Sequence, residues 1–190
     1  MNSSVAKGNL SARALLRWQF RLAHNLLEAA IEQSPPENIQ RHPACTGALA
    51  GACYAQAVLC EDLSVNGVLA TGTPLALSTW SGRTGVSQMP SLAELPHWRD
   101  WAQRVQLDLT RLRSYANAVY ASTDEYLDTL PGDAVHRPRG ENRAYILNAL
   151  LLTLSMRRGE ILCLQGLESK PYFHSDVLTK GGLCRTGAAT

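Results

Sequence analysis

Apolar residues recur three and four positions apart from Ala12 to Gln33, at Leu15, Leu16, Phe20, Leu22, Ala23, Leu26, Leu27 and Ala30, which predicts a first amphipathic helix. Ser34-Pro35-Pro36 ends it, because proline cannot continue a helical hydrogen-bond ladder. A second helix is expected from an N-cap near Thr46 to about Asn66, where Asn66-Gly67 supplies a turn. Turn residues Gly72, Pro74, Gly82, Gly85 and Pro90 make Val68 to Pro90 a long crossing loop between helices 2 and 3. The third helix opens at Ser91 to Glu94, a capping-box pattern, with Pro96 near its start. Its stripe of Trp98, Trp101, Val105, Leu109, Leu112, Ala116, Val119, Thr123 and Tyr126 runs unbroken to Leu130, and Pro131-Gly132 closes it. After a polar loop from Asp133 to Asn142, Ile146 to Leu167 forms the fourth helix. No stretch alternates as a strand would, so the pattern predicts an all-α, up-down four-helix bundle over about 12–167, in one domain of 1–190 with an irregular tail, 168–190.

Polar groups interrupt that pattern at particular places. Ile146 to Leu154 is apolar on every side but for Asn148 and Thr153, the mark of a helix buried among others. Helical spacing then puts Thr153, Arg157 and Glu160 on one stripe with Ile146, Leu150 and Leu164. In the second helix, among Gly47, Ala48, Ala50, Gly51, Ala52, Ala55 and Ala57, Gln56 shares a stripe with Ala52, Leu59 and Leu63. Unpaired charge in a core costs several kcal/mol, so these polar positions read as the floor of a pocket. The bland alternative is an i, i+3 ion pair of Arg157 with Glu160, hydrogen-bonded by Gln56 and Thr153 and closed to ligand, or an arginine that snorkels to solvent.

Composition narrows the classes. At 190 residues, 45% hydrophobic and 18% charged, the chain suits one ordinary globular domain. A formal charge of +2 with no basic stripe argues against nucleic acid as partner, and no apolar run approaches the ~20 residues of a membrane span. Met1 to Leu10 holds Lys7 but no secretory apolar run, so a cytoplasmic protein is expected. Five cysteines lack metal-site spacing; Cys53 and Cys60 read as small core residues, and Cys163, a turn beyond Glu160, has no implied base.

The runs from Thr46 (TGALAGACYAQAVLCEDLSVNG), Ser78 (STWSGRTG), Leu112 (LRSYANAVYASTDEYL) and Arg158 (RGEILCLQGL), in that order and spacing, resemble the DinB-like family of four-helix bundles. That superfamily includes thiol-dependent transferases and maleylpyruvate isomerase-like proteins. The resemblance implies a divalent-metal site of three histidines, one on the second helix and two spaced by four on the last. Those positions are Gln56, Thr153 and Arg157 in this chain, while the following glycine and acid are kept as Gly159 and Glu160. Arg157 sets a permanent positive charge where the cation would sit, which opposes metal binding. Of His24, His42, His97, His136 and His174, only His24 falls in a predicted helix and reaches toward the pocket.

The expectation is therefore a metal-independent and cofactor-free enzyme for a small organic molecule, anionic or polyoxygenated, of the cyclase, isomerase or dehydratase kind found in specialised metabolism. Arg157 and Glu160 are the candidate catalytic groups, the first binding an oxyanion and the second moving a proton. Gln56, Thr153 and His24 are the candidate substrate contacts; the Trp80 to Gly85 loop is expected over the mouth, and its Arg83 either contacts ligand or caps a helix end. One alternative is a non-catalytic, homodimeric binding or assembly protein. Another is a metal-dependent thiol transferase with unusual ligands.

Overall fold

The computed structural model describes residues 11–35, 39, 49–90, 98–131 and 140–168, the last segment without the side chains at 140, 141, 167 and 168. Among the described residues the regular structure is helical, with one isolated bridge between Val86 and Leu107 and no strand. Five α-helices run as α1 (Ala12–Glu32), α2 (Ala50–Asp62), α3 (Trp98–Arg104), α4 (Leu109–Asp128) and α5 (Gly140–Glu168). None of them is long and apolar enough to cross a membrane. The expected N-cap at Thr46, the Ser91 to Glu94 capping box and the tail beyond Glu168 lie outside the described residues.

Helix α1 starts where Ser11 accepts a hydrogen bond from the Ala14 amide at 3.2 Å, and it buries Phe20, His24, Leu27, Ala30 and Ile31. Its far end is tied to α5, where Gln165 donates to the Ala30 carbonyl at 2.7 Å and to the Ser34 hydroxyl. Helix α2 is almost wholly buried because its side chains are small enough for neighbours on all sides to approach. A methyl group on Gly51 would lie 2.8 Å from atoms of Ile39 and Leu107, which is why glycine stands there. Both α1 and α2 pack against α4 and against α5, so these two helices form the middle of the molecule.

Helix α2 does not stop at the Asn66-Gly67 turn. It widens into a π-helical stretch, Leu63–Leu69. The buried Asp62 carboxylate directs the path of the chain beyond it: the carboxylate accepts from Asn66 Nδ2, the Leu75 and Ala76 amides, each at 2.8 Å, and the Tyr115 hydroxyl at 2.7 Å. One side chain thereby fixes the crossing loop and binds it and the helix to α4.

The third predicted helix is two. The chain leaves α3 after Arg104, pairs Leu107 with Val86 in the isolated bridge, and re-enters helix at Asp108, whose side chain accepts from the Arg111 amide at 3.1 Å. Gly85 makes the junction: at φ +79° its carbonyl receives the Asp108 amide at 2.8 Å, and an added Cβ would lie 2.5 Å from Asp108 O and Leu112 N. Helix α5 begins at Gly140, six residues before the expected start, within the segment read as a polar loop. It is also not buried all round. Leu147, Leu150, Leu154, Ile161 and Leu164 face the core, while Tyr145, Leu152 and Met156 are 74%, 64% and 63% exposed.

Candidate functional site

The apolar line of α5 runs through Leu147, Leu154 and Ile161, so Thr153, Arg157 and Glu160 sit at the edge of the core rather than at its centre. That edge faces α2, whose Cys53, Gln56 and Cys60 recur at three- and four-residue spacing on the opposing side. Arg157 Nη1 donates to Glu160 Oε2 at 2.5 Å, with the two side chains 23% and 42% exposed. The ion pair of the bland reading is thus present, but it does not consume the site. Arg157 Nε is buried with no partner, and Gln56, only 6% exposed, forms no side-chain hydrogen bond with a described residue. Thr153 turns back on its own helix and donates to the Ala149 carbonyl at 2.8 Å, so its hydroxyl proton is already committed.

The neighbouring thiols are inert. Burial, then the charge of the nearby Glu160 carboxylate, pushes the Cys53 thiol up to about 12. Burial also raises Cys60, against a downward pull from Arg157. A thiol so held is protonated at neutral pH and is a poor nucleophile. Cys163 is exposed on the outer side of α5.

His24 is not beside these groups. Its Nε2 lies 2.9 and 3.0 Å from the two oxygens of Glu61, a residue with no exposed surface. Thr123 donates to Glu61 Oε1 at 2.5 Å, and the Tyr120 ring stacks on the imidazole with centroids 3.9 Å apart. A second carboxylate, Glu28, accepts from the Tyr54 and Tyr120 hydroxyls and pairs with Arg113. Both phenols are pushed well above their ordinary range, Tyr54 by burial and then by Glu28, Tyr120 by burial and then by Tyr54 and Glu28. Glu61 and Asp62 therefore serve different partners from consecutive positions, which lie ~100° apart on a helix.

The loop residues point elsewhere too. Trp80 packs against Tyr115 at 5.8 Å, and Arg83 lies over Trp80 and donates to the Thr79 carbonyl, so Arg83 caps its own turn against α4. Sequence reasoning missed Glu61, Asp62, Thr123 and Tyr120. The signal was available: Tyr54, Val58, Glu61 and Val65 share one helical stripe, so an acid stood among core residues.

Among the described residues no three His, Cys, Asp or Glu side chains come close enough to hold a metal ion. No protein-family model, curated protein or solved structure matches the chain.

Proposed function

We propose that the chain is an up-down, DinB-like bundle whose α2–α5 edge takes a small, oxygen-rich organic acid and works on it without a metal. The observation that supports this is the buried Arg157 Nε, left without a partner at an edge where the ion pair with Glu160 is still partly open to solvent. A buried polar group left without a partner costs about 1–3 kcal/mol, and such groups call for a ligand or water to complete them. Arg157 offers a donor fork for a carboxylate or enolate oxygen, and Gln56 offers both a donor and an acceptor. Glu160 holds the guanidinium in place and is the group nearest to accept a proton, being more exposed than its partner. The chemistry that suits such a set is isomerisation, cyclisation or elimination beside a carbonyl.

Native mass spectrometry of the protein as purified, beside elemental analysis of the same sample, tests the reading. A small acid retained by the wild type and lost in Arg157→Ala is expected. Retention by that variant sinks the proposal, and stoichiometric Zn, Ni or Fe revives the thiol-transferase reading. A second reading, a homodimeric binding protein, draws on the exposed apolar residues Tyr145, Leu152 and Met156 of α5. A concentration-independent dimer with no retained ligand would favour it.

A further inference from the structure

Away from the α2–α5 edge, titratable groups meet open space between two other helices. A cleft of about 320 Å³ between α1 and α4 is lined by Phe20, Arg21, His24, Asn25, Tyr120 and Ala121, with Asp124 at its rim. The imidazole in its wall is held from behind. A carboxylate only accepts hydrogen bonds, so Glu61 fixes the ring proton on Nε2, and the lone pair then belongs to Nδ1. Thr123 saturates Glu61 from another side, and stacking on Tyr120 sets the plane of the ring. This is the arrangement by which a base is oriented by a third group. Nδ1 forms no hydrogen bond with a described residue.

The cleft also carries donors for an oxyanion. Arg21 gives Nε and Nη2 to Asp124 at 3.2 and 2.8 Å and keeps Nη1. Asn25 adds an exposed amide, and Phe20 and Tyr120 supply apolar walls for a short carbon chain.

We infer that this cleft is an acid–base site of its own for small oxo acids, with His24 as the base. A C–H bond next to the substrate carbonyl breaks, and its proton passes to His24 Nδ1. The electron pair moves onto the carbonyl oxygen, giving an enolate that faces Arg21 and Asn25, while the imidazolium is stabilised by Glu61. Return of the proton to carbon regenerates the neutral ring. Glu61 acts through His24 and is a positioning residue.

The test is solvent exchange at C3 of 2-oxobutanoate in D2O, followed by loss of its methylene proton signal in NMR. Wild-type protein is expected to speed exchange over buffer, and His24→Gln to remove about 100-fold or more of that acceleration. Glu61→Gln should lower kcat with KM unchanged, the mark of a misoriented base rather than a lost binding contact. Ala121→Trp fills the cleft from its exposed rim without touching the buried pair, so it reads out the site even if His24→Gln fails to fold; it should abolish the exchange. Met156→Ser, on the outer face of α5, should leave it unchanged. Wild-type exchange no faster than buffer, or full activity in Ala121→Trp, overturns the inference.

Discussion

Replacing Asp62 with Asn removes no atoms from the core, yet it should rank among the most damaging single changes in the protein. Oδ1 accepts from Asn66 Nδ2 and the Leu75 amide, and Oδ2 accepts from the Ala76 amide and the Tyr115 hydroxyl. In an asparagine one of those oxygens becomes an NH2 group, which donates. Turned one way, the NH2 faces the Asn66 and Leu75 donors and two charge-assisted bonds are lost. Turned the other way, it faces the Ala76 amide while the Tyr115 hydroxyl can rotate to accept, and at least one is lost. At about 1.5–3 kcal/mol each, the variant should lose about 1.5–6 kcal/mol of an expected total of about 5–15. Tyr115→Phe breaks only one of the four and should cost about 1.5–3 kcal/mol. Urea unfolding followed by circular dichroism gives both values. Native-state hydrogen exchange adds the local readout, since the Leu75 and Ala76 amides should exchange much faster in Asp62→Asn. An Asp62→Asn protein destabilised by less than about 1 kcal/mol would refute the reasoning.

Gly85→Ala should cost more than Gly82→Ala, because both have positive φ but only at Gly85 would the new Cβ meet backbone, at 2.5 Å from Asp108 O and Leu112 N. A loss of about 1 kcal/mol at Gly82 and clearly more at Gly85, read from urea midpoints, is expected. Hydrogen bonds from Arg17 and then Arg21 hold the Asp124 carboxyl well below its ordinary range. A lowered folded-state value stabilises above the unfolded pKa of about 3.9 and is lost as pH falls below it, so Asp124→Asn should flatten the acid limb of a stability–pH profile there. Because Asp124 is partly solvated, the effect should also shrink in high salt. Finally, Gln56→His with Thr153→His and Arg157→His should create a site that binds one Zn or Ni ion per chain by elemental analysis, if the α2–α5 edge has the geometry of the family's metal site. A folded triple variant that takes up no metal would count against the resemblance.

The helices were legible where side-chain periodicity and backbone geometry agree. Ala12 to Gln33 is nearly the observed α1, since one apolar stripe and a proline stop define it. The break at Val105 to Asp108 was hidden because Trp98, Trp101, Val105, Leu109 and Leu112 satisfy helical spacing across it. Val105 and Leu107 are both buried, a two-residue alternation that belongs to the bridge with Val86. The candidate site was legible to the same degree. Spacing placed Arg157 and Glu160 together and set Gln56 on the helix facing them. Spacing could not tell that Thr153 bonds its own helix, nor that His24 meets Glu61, because those outcomes depend on which helices are neighbours in space.

Helix α2 packs against α5 and also carries Glu61, the partner of His24. It contains no charge from Ala50 to Cys60, then two acids in succession, both without exposed surface. Two buried carboxylates are sustainable only if donors surround each. Consecutive positions make that feasible, because the ~100° between them sends Glu61 toward α1 and α4 and Asp62 toward the loop and α4. Each acid is thereby matched to donors that only one packing of the helices supplies, so a slipped or rotated α2 would leave a buried charge uncompensated. Gln56 lies five residues earlier on this same helix, so the packing that satisfies Glu61 and Asp62 also fixes the face of α2 on which it stands.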